Sequence, residues 1–296
     1  MLYLILKAQM GNQLFQIMNI ISISKEYNID YMICCNKNEE TIYEKKRTYF
    51  NNIYLKLKDK LKKIEKNELE NNVENNLLYK ENKFEYLKID LNNLIKENKD
   101  IYIDGFFQSY KYFEKYKEEI YNIFEIKNIK NQLKNTYSYI FSKKTIAIHF
   151  RFGDYLYLQD YHPIQTIKYY YNSINKLNKI LINNKENIVD YNFIFFCCIS
   201  DNIIVNKYID RLNTIYNNKL NFIKINDSIS EWEQIIMISL CNHIIIANST
   251  FSWWGAYFSE NNKTTIIYPL KWFGPYYKNN SIKDLILENW IGIEDT

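Results

Sequence analysis

Short apolar runs alternate with longer amphipathic segments along most of the chain. Runs rich in Ile, Leu, Tyr and Phe are typical of buried strands, and apolar residues three and four positions apart predict helices. The predicted strands are residues 2–6, 31–35, 101–106, 145–150, 193–198, 220–225, 243–247 and 264–268. The predicted helices are residues 14–27, 110–124, 164–182, 203–216, 230–241 and 252–258. Repeated strand–helix–strand order predicts the α/β class, with parallel sheets covered by helices.

The pattern is least clear between residues 36 and 99, where Asn, Lys and Glu dominate. Within this stretch Ile53, Leu57, Leu61 and Ile64 recur at helical spacing among many lysines. We interpret residues 56–66 as a solvated amphipathic helix. The alternative is a basic patch.

The length predicts two lobes. At 296 residues the chain exceeds the usual size of one domain, which is about 150 residues. We place one α/β lobe at residues 1–140 and a second, Rossmann-like lobe at 141–296, with the boundary near 130–144. Ligands on parallel sheets bind at the carboxyl ends of strands, so we expect the two sheets to face a central cleft.

Composition and charge narrow the classes of function. Hydrophobic residues make up 47% of the chain and aromatic residues 17%, which is enough for a sizeable core. A net charge of +4 suits an anionic small molecule and falls short of a nucleic-acid-binding surface. The apolar run at residues 2–6 is too short for a signal sequence, and no run approaches the length of a membrane span. We therefore expect a cytoplasmic protein without a membrane anchor.

The cysteines favour reduced thiols. There are five, and two adjacent pairs, Cys34–Cys35 and Cys197–Cys198, fall inside predicted strands. Neighbouring strand residues point to opposite faces, which suits neither a disulfide nor a shared metal. With three histidines and no Cys-x-x-Cys, a zinc site has little support.

The first polar cluster follows the strand at residues 145–150. Alternation places His149, Arg151 and Gly153 on one side, with Asp154 beyond the strand end. A guanidinium can hold a diphosphate with two hydrogen bonds and stabilise it as it leaves. The alternative is an Arg–Asp pair that only fixes the strand end.

Two further clusters follow predicted strands. Asp201, within Ser-Asp-Asn at 200–202, is placed to meet a ribose hydroxyl or a base, although this tripeptide is also a good turn and helix cap. The string Asn-Ser-Thr-Phe-Ser-Trp-Trp-Gly at 248–255 puts small hydroxyl residues at a helix start, where a phosphate can bind. The two Trp could equally be core residues.

Together these strings resemble the ordered motifs of the alpha-1,2-fucosyltransferases, glycosyltransferase family 11. The matching strings are Gln-Met-Gly-Asn-Gln-Leu-Phe-Gln at 9–16, His-Phe-Arg-Phe-Gly-Asp-Tyr at 149–155, and residues 195–201 and 248–256. Residues 105–109 and 272–291 are also similar to the family. The resemblance runs nearly end to end and thins between residues 36 and 99. The string at 248–255 is highly specific, whereas His-x-Arg is shared more widely among fucosyltransferases.

The resemblance implies a GT-B-type fold, and inverting transfer of fucose from GDP-fucose to the 2-hydroxyl of a terminal β-galactoside. It also implies that no metal cofactor is required, and the chain contains no Asp-x-Asp. Arg151 would hold the β-phosphate, His149 would lie near the nucleotide and Asp201 would meet ribose or guanine. Asn12 and Gln13 would face the fucose and the acceptor. The full set implied for donor binding is Gly11, Asn12, Gln13, His149, Arg151, Asp201, Asn248, Ser249, Thr250, Phe251 and Ser252.

The catalytic candidates are Arg151, Asp154 and His149. Asp154 is the leading candidate for the base that accepts the proton of the acceptor hydroxyl, although a strongly dissociative reaction would need little help from a base. Two positions depart from the family pattern as it is usually seen. Asn202 stands where a second Asp is common, and Gln234 stands where an acidic residue is common.

Two alternatives remain open at the level of sequence. The first is a transferase that uses another GDP-linked sugar or makes another linkage. The second is a non-catalytic protein of the same fold that binds a glycan or a nucleotide sugar. The intact Arg151 and Asn12 argue against the second, because a decayed site tends to lose its charged residue.

Overall fold

A computed structural model describes residues 1–295. Its contacts divide the chain into two units. The first comprises Met1–Lys127 and Ser281–Ile286, and the second comprises Asn128–Asn280 and the chain from Leu287 onward. The chain therefore enters each unit twice.

The first unit is built on a five-stranded parallel sheet in the order β3-β2-β1-β5-β4. Its strands are β1 (Leu2–Ile5), β2 (Tyr31–Cys35), β3 (Leu61–Lys63), β4 (Leu77–Lys80) and β5 (Ile101–Asp104). Its helices are α1 (Met10–Tyr27), α2 (Lys66–Asn75), α3 (Asn92–Ile95) and α4 (Lys117–Ile123), and α5 (Ile126–Thr136) continues from it into the second unit.

The second unit carries a six-stranded parallel sheet in the order β11-β10-β9-β6-β7-β8. Its strands are β6 (Lys144–His149), β7 (Tyr191–Phe196), β8 (Asn221–Lys224), β9 (His243–Ile245), β10 (Thr265–Pro269) and β11 (Ile291–Ile293). Its helices are α6 (Ile167–Asn183), α7 (Asn202–Ile215), α8 (Glu231–Ser239) and α9 (Thr250–Tyr257).

The predicted α/β class with two parallel sheets is confirmed. Central strand β6 shows why these sequences form strands: every residue from Thr145 to His149 is buried, as is typical of a parallel sheet covered on both faces. Ile146 and Ile148 join a core cluster with residues of α6 and α7. His149, on the opposite face, contacts α9.

The predicted helix at residues 56–66 is wrong. The structure has a 3₁₀ turn at Leu55–Lys60, then β3, and the next helix begins only at Lys66. Strand β3 adds to the edge of β2 with Ile33 opposite Leu61. Backbone pairing with an existing strand outweighs the local helical spacing, which is a weak preference over so few residues.

The predicted helix at residues 110–124 is correct only in its last part. Two 3₁₀ turns at Tyr110–Tyr112 and Glu114–Tyr116 precede α4. The backbone N–H of Lys111 donates to the Ser109 hydroxyl, which starts the first turn. Tyr112 and Phe113 are both buried, and tight turns allow these adjacent side chains to pack inside the unit.

Ser281–Ile286 returns the chain to the first unit through the buried residue Asp284. Its carboxylate accepts a hydrogen bond from the Tyr86 N–H at 3.2 Å and pairs with Lys111 at 2.5 Å. Its carbonyl accepts a bond from the Ser109 hydroxyl. The periodicity of the sequence gives no sign of this return.

All five cysteines are free, and only Cys198 is exposed. The adjacent pairs Cys34–Cys35 and Cys197–Cys198 form no disulfide, and their reduced state stays a prediction. Among residues 1–295, no helix has the length and apolar character needed to cross a bilayer.

The close approach of α8 and α9 at Gly255 can be tested by Gly255→Ala. An added Cβ would lie 2.5 Å from Ile238 Cγ2 and 2.7 Å from Ile238 Cβ, in a fully buried contact. We expect a loss of about 1–3 kcal/mol in the free energy of unfolding, measured by urea denaturation, although Ala favours helix more than Gly.

Gly292→Ala is the matched control. Its Cβ would also meet a side chain at 2.5 Å, but that side chain is Leu270, which is 44% exposed and can move aside. Equal losses in the two variants would show that the contact with Ile238 is not what limits packing between α8 and α9.

Candidate functional site

The order of the second sheet creates a crevice at the carboxyl ends of β6 and β9. From β6 the chain proceeds through β7 and β8 to one side, and from β9 through β10 and β11 to the other. The loops that leave β6 and β9 therefore diverge, and ligands of open α/β sheets bind at such a point. The first loop carries Arg151 and the second carries Ser249.

Arg151 is held by three neighbours in this crevice. Its side chain is 15% exposed, and Nη2 pairs with Asp154 Oδ1 at 2.5 Å. Nη1 lies 3.5 Å from Cys198 Sγ, and the guanidinium lies 4.9 Å from the centre of the Tyr155 ring. Burial lowers the pKa of Arg151, but Tyr155, Asp154, Cys198 and Asp201 outweigh it and raise the pKa overall. The result is a fixed cation with one partly open side.

Tyr155 and Cys198 are site residues that the sequence did not single out. The Tyr155 hydroxyl also donates to the Asn248 carbonyl at 3.2 Å, so it links the loops that follow β6 and β9. Cys198 lies just beyond β7, the neighbour of β6 in the sheet. The pairing of predicted neighbouring strands is the signal that could have identified Cys198.

Asp154 is the most open charged group beside Arg151, with 57% of its side chain exposed. The structure thus brings together Arg151 and the predicted base, as the sequence anticipated. Its proposed catalytic role stays a prediction.

His149 is buried beneath the first turn of α9. Its Nδ1 lies 2.9 Å from Ser252 Oγ, and its ring lies 5.2 Å from that of Phe251. Burial, and then the charge of Arg151, lowers the pKa of His149 to about 3. The imidazole is therefore neutral near pH 7 and adds no positive charge to the crevice.

The N-terminus of α9 presents the predicted hydroxyl residues unequally. Ser249 caps the helix, and its Oγ accepts a hydrogen bond from the Phe251 N–H at 3.3 Å. Ser252 is fully buried beside His149, whereas Thr250 and Phe251 are half-buried. Helix N-termini carry a partial positive charge that favours anions, and Thr250 is the hydroxyl residue best placed to meet one.

Asn248 and Asp201 bind protein backbone in this structure. Asn248 Nδ2 donates to the carbonyls of Pro163 and Trp272 at 2.9 and 3.0 Å. Both carboxylate oxygens of Asp201 accept backbone N–H groups from the loop that follows β6. The nucleotide contacts expected of both residues stay predictions.

The two positions that depart from the family pattern also serve local structure. Asn202 Nδ2 donates to Asp227 at 3.0 Å, and Gln234 Nε2 donates to the Ile229 carbonyl at 2.8 Å. Each amide donates a hydrogen bond that an ionised carboxylate could not provide.

In the first unit, the loop that follows β1 is held by side chains of α1. Gln13 is fully buried, and its Nε2 donates to the carbonyls of Ala8 and Arg47, both at 2.8 Å. Gly11 is also buried, whereas Asn12 is half-buried and its Oδ1 accepts from Gln108 Nε2 at 3.0 Å. Gln13 thus shapes the loop and Asn12 lies nearer its surface. Their predicted contacts with sugar stay predictions.

A cavity of about 710 Å³ lies at the opposite, amino edge of the second sheet, near Lys144, Asp190 and Leu220. Lys144 already pairs there with Glu186. The polar groups that suit a diphosphate gather at the carboxyl edge, so we place the candidate site there. No three His, Cys, Asp or Glu side chains within residues 1–295 are grouped as a metal would require.

Comparison with known proteins places these motifs in a family. A family model described as "Glycosyl transferase family 11" matches residues 1–294. The resemblance stated from the sequence is thereby confirmed.

Two curated relatives come from Escherichia coli. An alpha-1,2-colitosyltransferase is 31% identical over 193 residues, which cover 64% of this chain and 61% of that protein. The O-antigen biosynthesis glycosyltransferase WbnK is 25% identical over 215 residues, which cover 69% and 64%. The match thus spans less than two thirds of each relative. Among solved structures, an Arabidopsis thaliana FUT1 mutant in complex with GDP is 11% identical with a TM-score of 0.43, covering 89% of this chain and 72% of that one.

The neutral state of His149 predicts how stability depends on pH. With a pKa of about 3 in the folded protein and an ordinary value near 6.5 when unfolded, the unfolded chain takes up the proton first. The stabilisation is complete above pH 6.5 and is lost as the pH falls toward 3. We expect the difference in unfolding free energy between wild type and His149→Gln to be about 2 kcal/mol smaller at pH 5 than at pH 7.

Urea denaturation at both pH values measures this difference. His162→Gln is the control, because burial lowers the pKa of the half-buried His162 but the charge of Asp154 opposes that shift. A difference for His149→Gln that does not change with pH would mean that His149 is not held neutral.

Proposed function

Because the chain belongs to glycosyltransferase family 11, we propose that it transfers L-fucose from GDP-fucose to the 2-hydroxyl of a terminal β-galactoside. We propose that the reaction inverts the anomeric carbon and needs no metal. The donor is then a nucleoside diphosphate sugar, and the acceptor is a glycan that ends in galactose.

The fixed position of the Arg151 guanidinium is the observation that carries this proposal. It lies at the crevice between the loops of β6 and β9, in the unit that also presents the N-terminus of α9. A guanidinium and a helix N-terminus are two of the groups that bind diphosphates in proteins. Both stabilise charge that grows on the diphosphate as the sugar leaves, and this lowers the barrier to transfer.

The proposed reaction is a single displacement. The acceptor oxygen forms a bond to the anomeric carbon from the face opposite GDP, and the bond from that carbon to the diphosphate oxygen breaks. The electron pair leaves with GDP, where Arg151 stabilises it. The proton of the acceptor hydroxyl passes to a base.

Asp154 is our candidate for that base, because its carboxylate is exposed beside Arg151. His149 is a poor candidate, since its ring is buried and its pKa of about 3 makes it a weak proton acceptor. We assign His149 the role of a neutral support for Ser252 and the first turn of α9.

The relatives' names support glycan transfer and favour one second candidate. One relative is an alpha-1,2-colitosyltransferase, which makes the same linkage with a different sugar. A GDP-linked colitose is therefore the alternative donor, and a glycan of the O-antigen type is an acceptor to test beside simple β-galactosides. The five free cysteines suit action in a reducing compartment, and we propose the cytoplasm.

The proposal can be tested by acceptor-dependent release of GDP in the presence of EDTA. We expect turnover of GDP-fucose with β-galactosides by wild type, and a fall in kcat of about 10²–10³-fold in Arg151→Ala, because the diphosphate loses its fixed cation. Arg151→Lys should recover only part of the rate, since it keeps the charge but loses the planar pair of donors.

Arg211→Ala is the matched control, because Arg211 is exposed on α7. Turnover with GDP-colitose alone would keep the family and replace the donor. Activity that disappears in EDTA would overturn metal independence, and an Arg151→Ala variant with wild-type kcat would overturn the role of Arg151.

Cys198 provides a second test, because its thiol lies 3.5 Å from Arg151 Nη1 and the other four cysteines are buried. Burial raises the pKa of Cys198 despite the opposing effect of Arg151. We expect slow labelling by N-ethylmaleimide at pH 7, faster labelling as the pH rises, and protection by GDP. Mass spectrometry reports the labelled site.

Cys198→Ser should abolish this labelling, because the other four cysteines are buried. Labelling of wild type at an unchanged rate in saturating GDP would place GDP away from Arg151.

A further inference from the structure

Asp201 is a buried carboxylate whose hydrogen bonds are directed at one turn of backbone. It is 2% exposed and lies just beyond β7. Oδ2 accepts the Phe152 N–H at 3.1 Å, and Oδ1 accepts the Gly153 N–H at 2.9 Å. Oδ1 also accepts the Ser200 hydroxyl at 3.2 Å. A buried carboxylate is stable only with such donors, and here most of them come from the loop that carries Arg151.

The turn at Phe152 and Gly153 has a geometry that needs external support. Gly153 has φ of +43°, a conformation that residues with a side chain seldom adopt. Phe152, with φ −121° and ψ −89°, also lies outside the regular helical and strand regions. Because neither residue follows a strand or helix ladder here, their N–H groups depend on Asp201.

This turn sets the position of the Arg151 guanidinium. A Cβ placed on Gly153 would lie 3.4 Å from Arg151 Nη1, so the backbone folds closely against the side chain. The turn then continues into the 3₁₀ segment Gly153–Leu156, which supplies Asp154 to pair with Arg151 and Tyr155 to lie beneath it. Two of the three neighbours of Arg151 thus come from backbone that Asp201 holds.

We propose that Asp201 is a positioning residue for the diphosphate, which acts by fixing the Phe152–Gly153 turn and through it the guanidinium of Arg151. Both of its oxygens accept backbone N–H groups and the side chain is 2% exposed, so we assign it to the turn in preference to the ribose or the base. This inference rests on the proposed function, in which Arg151 binds the diphosphate of GDP.

The affinities of GDP and GMP separate the two roles. A residue that positions Arg151 changes the affinity for GDP, which carries the second phosphate, and leaves the affinity for GMP unchanged. A residue that reads ribose or guanine changes both affinities equally. We expect Asp201→Asn to weaken GDP binding about tenfold or more, through the loss of a charge-assisted hydrogen bond to the turn. The affinity for GMP should change by less than about twofold, as measured by titration calorimetry.

The same measurement in an Arg151→Ala background tests the connection between the two residues. In that background Asp201→Asn should weaken GDP binding little further, because the guanidinium that Asp201 positions is absent. Equal weakening of GDP and GMP, or additive losses in the double variant, would overturn the proposal and assign Asp201 to the nucleoside.

Two further variants keep the test decisive. Gly153→Ala strains the same turn from its other side and should reproduce the selective loss of GDP affinity. Asp210→Asn removes a carboxylate at an exposed position of α7 and should leave both affinities unchanged.

Amide hydrogen exchange tests the turn without any ligand. We expect the Phe152 and Gly153 N–H groups to be protected in wild type and in Arg151→Ala, and to exchange at least about tenfold faster in Asp201→Asn. If wild type binds neither nucleotide, the proposed donor is wrong. Amide exchange alone then tests whether Asp201 holds the Phe152–Gly153 turn. Unchanged protection in Asp201→Asn would overturn the inference whatever the donor.

Discussion

Covering both faces of a parallel sheet is the constraint on which this structure depends. A strand such as β6 is buried along almost its whole length, so it has no solvent-facing side on which to carry polar chemistry. Polar groups therefore gather where strands end. In the second unit this edge carries His149, Arg151 and Asp201, and in the first it carries Lys7 and Asp104, which pair with each other. The packing of the core and the placement of the site are consequences of one requirement.

Within the crevice, Arg151 carries the positive charge and the nearby imidazole of His149 carries none. His149 is buried and neutral, so the positive charge is concentrated on Arg151. Burial of a guanidinium is costly unless it is paired, and Asp154 and Tyr155 offset that cost. Under the proposed function, a diphosphate at Arg151 would take the place that Asp154 holds as its anionic partner.

The sequence was most informative where local pattern and long-range packing agree. Strand β6 and the motif at 248–255 were predicted almost at their observed positions, because a buried central strand and a capped helix each have a strong local signal. The edge strand β3 was missed, since its pairing with β2 cannot be inferred from helical spacing among lysines. Within the candidate site, Arg151 was predicted from its chemistry, and the structure places it beside Asp154. The use of Asp201 as a support for backbone depends on the turn at Gly153, which only the folded chain displays.

The return of Ser281–Ile286 to the first unit has a consequence for synthesis. Asp284 bonds to the backbone of Tyr86 and pairs with Lys111, so part of the first unit is built from residues that lie 198 and 173 positions away from their partners in the sequence. The domain that leaves the ribosome first generally folds first, but here the first unit is complete only once residues 281–286 have been made, after residues 128–280 of the second unit. A fragment that ends before residue 281 would leave the Tyr86 N–H and Lys111 without these partners, so residues 1–127 alone do not make up the whole of the first unit.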